Sequence, residues 1–248
     1  MDLTPNSNQL EWNAAAFTAF KYNPENVALV NFVKEKGGTG STSSAASVVE
    51  VLVACAIPVI IVDLASKQFD LAVPYQNVNG VVVHETDEQQ SSGAMLLRAI
   101  ATAAPGSVVV AQWPSSAIED IAKTNAFLVH VLRSGTVKVD VSTIWTMDAD
   151  CCSVDTLNLM LECELPGFLG VNWPEWNGPV ALDRVLEQKI KSCGGTVFAI
   201  PALPPTYYHA FKRHRIAPAT QFANGDCAAQ WEIDFWRHRV FCALTSLV

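Results

Sequence analysis

The stretch Lys36-Gly37-Gly38-Thr39-Gly40-Ser41-Thr42 gathers the residue types that can hold a phosphate group. Glycine tolerates positive φ and lets main-chain N–H groups come close to an anion. A helix starting directly after the turn adds about half a positive charge at its N-terminus. Thr42 contributes a hydroxyl of the kind that ligates Mg²⁺. The cation such loops use is absent, because Ser41 stands where a phosphate loop places its lysine. Two readings follow from the residues alone: a phosphate cradle working through its backbone, or a tight turn that binds nothing.

The elements around the turn favour the cradle. Val27–Val33 is an apolar run broken only at Asn31, as expected of a buried strand, and the residues after the turn are small and helix-compatible. Further apolar runs at 59–63, 80–84, 107–112, 137–146, 167–172 and 196–201 alternate with helical stretches at 42–56, 91–104, 115–133, 153–161, 178–193, 207–212 and 228–247. Such alternation predicts an α/β fold, doubly wound, with a mostly parallel sheet of about seven strands and helices on both faces. No repeat, low-complexity tract or linker divides the chain, so residues 1–248 are expected to form one domain, with 1–25 as an N-terminal extension and 228–248 as a C-terminal helix.

The motif KGGTGSTSSAA resembles the deviant Walker A sequence, KGGxGK[ST]TxAA, of the ParA/MinD family of P-loop ATPases. The resemblance implies nucleotide contacts from Lys36, Gly37, Gly38, Thr39, Gly40, Ser41 and Thr42, with Lys36 on the signature lysine that reaches a partner's nucleotide across a sandwich dimer. It places Thr42 on the Mg²⁺ hydroxyl and implies ATP and Mg²⁺ as cofactors. Downstream, FLGVNWPEWNG resembles the strand whose terminal Asn, here Asn172, reads adenine, and FAIPALPPTYYHAF resembles the segment that walls the base around Pro201 to Leu203. Within the family, VDLASKQFDLAVPY and GVNWPEW look most like plasmid-borne StbB and TraL-type members. A role in partitioning or positioning of a plasmid or other cargo is what that likeness implies, as a cytoplasmic homodimer working with an adaptor or cargo protein.

The departures bear on catalysis. IPVIIVDLASKQFDL keeps the first acid of the family's DxDP as Asp63 but has Ala65 at the second, and SVVVAQWPSSAIED carries Gln112 or Ala111 where the family's switch aspartate belongs. With Ser41 for lysine, three charged groups are gone. Each such loss costs about two to three powers of ten in rate. The expectation is therefore weak or no ATP hydrolysis, with a non-enzymatic scaffold that docks a partner protein as the alternative.

Composition limits the partners. With 16 Lys and Arg against 24 Asp and Glu the net charge is −8, so any nucleic-acid contact must be local. Lys212, Arg213, Arg215, Arg237 and Arg239 are the candidates; family relatives bind DNA non-specifically through a C-terminal basic patch, and a solvated helix face is the competing reading. Residues 231–247 carry aromatic and aliphatic side chains near helical spacing, which suits core packing or a membrane-surface helix, and neighbouring acids disfavour the membrane. The apolar run 48–62 is interrupted by Glu50 and Pro58, so a buried helix and strand explain it better than a span. Seven cysteines without a C-x-x-C pair predict reduced thiols, and residues 1–25 lack the basic and apolar regions of a signal peptide. Trp173 and Trp176, beside the supposed base site, suit stacking on a base or packing against a neighbouring element.

Overall fold

A computed structural model describes residues 22–35, 37–64, 70–84, 91–115, 117–135, 138–147, 151–162, 167–177 and 182–245. Seven strands form one sheet in the order β3-β2-β4-β1-β5-β6-β7: β1 (Val27–Val33), β2 (Val59–Asp63), β3 (Val81–Val83), β4 (Val108–Gln112), β5 (Val139–Thr146), β6 (Phe168–Asn172) and β7 (Thr196–Phe198). Every pairing is parallel. The doubly wound α/β architecture expected from the alternation is thus present, entirely parallel.

The helices are α1 (Ser41–Ala54), α2 (Ala72–Tyr75), α3 (Ser92–Thr102), α4 (Ile118–Ser134), α5 (Cys151–Leu161), α6 (Arg184–Ser192), α7 (Pro205–His214), α8 (Pro218–Asn224) and α9 (Cys227–Thr245). They split the core by strand parity. Ala28, Val30 and Phe32 of β1 face α1 and α9, while Val27, Leu29 and Val33 face α3, α4, α5 and α6. All seven β1 residues are buried, Asn31 included, which is why that strand reads as an apolar run with one polar break. β1 lies between β4 and β5, where the strand order reverses, so the crevice at its C-terminal end is the place this architecture offers a ligand.

Glu50 explains the charge inside the apolar run. It is fully buried in α1, accepts from Arg237 Nη2 at 2.6 Å and Nε at 3.2 Å, and also takes the Tyr75 hydroxyl and the Ala219 N–H, each at 2.9 Å. Burial and the adjoining Glu50 carboxylate push the Tyr75 phenol well above its usual value. Arg237 further stacks over the Phe222 ring at 4.8 Å. The network fastens α1 to α2, α8 and α9. No helix among the described residues is long and apolar enough to cross a membrane.

Candidate functional site: a glycine turn roofed by Trp176

Gly38 and Gly40 have φ of 90° and 91°, a region L-residues rarely occupy, so the turn needs glycine at both places. Gly40 is the N-cap of α1 and provides no side-chain cap, and the first turn of α1 carries no acid. Its first amides therefore await an external acceptor, with the positive end of the helix behind them. The hydroxyls of Thr39 and Ser41 are buried, each residue about 1% exposed, and neither has a hydrogen-bond partner among the described residues. Buried hydroxyls of that kind normally have one, and here they sit in the turn itself.

A cavity of about 360 Å³ adjoins the turn. Gly38, Gly40 and Ser43 form one wall; Ala202, Leu203, Pro205 and Tyr208 form another. Trp176 roofs it from the 3₁₀ turn Glu175–Asn177 that follows β6. The indole lies so near Gly40 that a Cβ there would stand 2.2 Å from Trp176 Cζ2. Glu175 fixes that turn, accepting from Ala202 N at 3.2 Å and pairing with Arg239 of α9. A mostly apolar wall with two aromatic rings beside an anion cradle suits a flat ring carrying phosphate.

The lysine-rich side of the site lies at the ends of β1 and β2. Asp70 pairs with Arg215 and stands 4.0 Å from Lys212. Burial lowers Lys34 below the ordinary lysine value, an effect that Asp63 and Asp70 oppose and Lys212 adds to. Lys212 is lowered the same way, with Asp70 opposing and Arg215 adding. Lys34 was not singled out from sequence, because it precedes the glycine motif by two positions and belongs to no spacing pattern.

Several expected residues take other work. Asn172, expected to read adenine, is completely buried and does not line the cavity; its Nδ2 donates to Ser44 Oγ at 2.7 Å and its Oδ1 accepts from Ile200 N at 3.0 Å. It ties β6 to α1 and to the chain after β7. Arg237, expected on a DNA-binding surface, is buried against Glu50. Arg239 pairs with Glu175, Lys212 and Arg215 face Asp70, and Arg213 is exposed, so these five cations do not form one open patch. Lys36 and Ala65 lie outside the described residues.

Gln112 is where the sequence and the geometry meet most directly. At the end of β4 and about 1% exposed, it donates from Nε2 to Thr42 Oγ1 at 2.7 Å, while its Oε1 has no partner among the described residues. Its register partner Asp63 on β2 is fully buried and accepts the Leu71 and Ala72 N–H groups at 2.9 and 3.2 Å, holding the start of α2. A Mg²⁺ ion at such a loop takes a hydroxyl lone pair and one or two carboxylates. Here the Thr42 oxygen faces an amide hydrogen, the adjacent strand end carries a neutral amide, and Asp63 on β2 is engaged by backbone. Among the described residues no group of three or more His, Cys, Asp or Glu could hold a metal ion. The residues do not fit Mg²⁺.

No family model matches the chain, and no curated protein matches it. Solved structures do. The cell division protein FtsY from Thermotoga maritima is similar over 76% of this chain and 68% of its own, at 15% identity and a TM-score of 0.51. The signal recognition particle receptor FtsY from Elizabethkingia anophelis covers 90% of this chain and 70% of its own, at 11% identity and a TM-score of 0.49. A ParA family ATPase from Chlorobium tepidum covers 86% and 98%, at 14% identity and a TM-score of 0.46. The likeness to the Thermotoga structure is one of fold, a doubly wound parallel α/β sheet.

Proposed function

We propose that this chain is a ParA-like nucleotide-binding protein, in which the turn at residues 37–42 receives a nucleotide's phosphates and the cavity under Trp176 receives its base. The observation that carries the reading is the juxtaposition of an uncapped helix N-terminus, two positive-φ glycines and the aromatic-roofed cavity. Main-chain N–H groups and the hydroxyls of Thr39 and Ser41 supply the anion contacts, and Lys34 and Lys36 are the nearest lysines in sequence. Trp176 and Tyr208 offer faces on which a base can stack.

The same residues account for slow or absent hydrolysis. Ser41 cannot place an ammonium on the phosphates, and Gln112 cannot provide a carboxylate. Losing one such charged group costs about 3 kcal/mol of transition-state stabilisation. The cellular role we assign is partitioning or positioning of a plasmid or other cargo, by a homodimer that uses Lys36 across its interface and engages an adaptor or cargo protein.

A scaffold that docks a partner without nucleotide is the second reading. Trp231 and Phe235 favour it: they stack at 5.5 Å and 7° on the outward side of α9, exposed at 69% and 52%. Thermal unfolding in the presence of ATP, ADP and GTP separates the two, since a ligand that binds only the folded form raises its stability. Nucleotide binding raises the midpoint, and the rise shrinks in Lys36→Ala; an unchanged midpoint with every nucleotide favours the scaffold.

A further inference from the structure

Gln112 occupies the position from which a P-loop protein holds its divalent cation, and it does so with a donor. A metal-ligating hydroxyl turns a lone pair toward the ion. At Thr42 that direction is taken by a hydrogen on Gln112 Nε2, 2.7 Å away from Oγ1. A partial positive charge therefore already sits where the cation would. Mg²⁺ also sheds its water reluctantly and demands near-octahedral oxygen ligands at about 2.0–2.1 Å. Neither the neutral amide at residue 112 nor Asp63, which is holding the start of α2, meets that demand.

We infer that the glycine turn takes the phosphates of its nucleotide without a divalent cation, with the Gln112 amide standing in the cation's place. This rests on the nucleotide reading above. One Nε2 hydrogen holds Thr42 and the other is left for a ligand oxygen. The buried hydroxyls of Thr39 and Ser41, which have no partner among the described residues, complete the donor set. Such a cradle neutralises less charge than a lysine and a metal together. A nucleoside diphosphate is then held at least as well as a triphosphate, whose extra charge finds no counterion.

Calorimetric titration of ADP and of ATP, each with excess MgCl₂ and with excess EDTA, tests this on the full chain. The expected result is ADP binding that is no tighter with MgCl₂ than with EDTA, and weaker to the extent that Mg²⁺ must first leave the free nucleotide, with ATP no tighter than ADP. Binding that strengthens tenfold or more with Mg²⁺ overturns the inference and leaves the nucleotide reading standing. Absence of binding in both buffers overturns the two together. Gln112→Asp restores a carboxylate at the strand end and is expected to make ADP binding at least about tenfold tighter with Mg²⁺ than with EDTA. A folded Gln112→Asp that stays indifferent to Mg²⁺ removes Gln112 as the excluding group. Should that variant fail to fold, Mn²⁺ paramagnetic resonance on the wild-type chain with ADP decides: a free-ion signal at or above that of ADP and Mn²⁺ alone supports the inference, and a signal further quenched by the protein refutes it.

Discussion

Replacing Gly40 with alanine tests the tightest approach in the site. Two separate costs meet at this position. A Cβ on a residue at φ 91° is disfavoured by about 1–2 kcal/mol whatever surrounds it. The same Cβ would stand 2.2 Å from Trp176 Cζ2, and the indole cannot simply swing away while Glu175 is held by Arg239 and Ala202 N. Forcing extra volume into a packed contact adds about 1–3 kcal/mol. Gly40→Ala is therefore expected to lower stability by about 2–5 kcal/mol in urea denaturation followed by circular dichroism. Trp176→Ala in the same chain removes the second cost and leaves the first. The double-mutant cycle should return a coupling of about 1–3 kcal/mol, with Gly40→Ala costing only about 1–2 kcal/mol in the Trp176→Ala background. Zero coupling would refute the claim that the indole presses on the glycine turn, and so would a Gly40→Ala protein as stable as the wild type.

Arg237→Ala leaves the Glu50 carboxylate buried without its cation and is expected to cost about 3–5 kcal/mol in the same denaturation assay, whereas the paired change Glu50→Met with Arg237→Met should cost far less. Ser41→Lys restores an ammonium to the turn and should tighten ADP binding by roughly tenfold, read by calorimetry. Trp176→Phe should abolish any quenching of tryptophan fluorescence that accompanies nucleotide binding, while leaving the binding itself within about tenfold of wild type. Burial pushes the Cys55 thiol up to about 11 from an ordinary 9.0, so between those values the unfolded chain has lost a proton the folded one keeps. That contribution is fully present below pH 9.0 and fades as pH rises toward about 11. Cys55→Ala should show a shallower alkaline loss of stability.

The sheet was legible because its central strands are buried on both faces, leaving apolar runs that need no partner to be recognised. The glycine turn was legible for a similar reason: positive φ at residues 38 and 40 is a demand that only one residue type meets cheaply. The short helices α2 and α8 escaped notice, being a turn or two of chain with little periodicity, although Pro218 at the start of α8 is a residue that position favours. Side-chain commitments were the least legible part. Nothing in the local sequence pairs Glu50 with Arg237 across 187 positions, or Asn172 with Ser44 across 128. Both Arg237 and Asn172 consequently look like surface or ligand residues until the fold shows what they touch. Gln112 is the reverse case: its identity marks a lost acid, and only the 2.7 Å contact with Thr42 reveals that the replacement points a donor at the metal hydroxyl.

The most direct measurement is a crystal structure grown with ADP in the absence of divalent cations. The account predicts phosphate oxygens within hydrogen-bonding distance of the main-chain N–H groups between Gly38 and Thr42, with the base beneath Trp176. Density for ADP elsewhere on the molecule, or a turn left empty at saturating ADP, would contradict it.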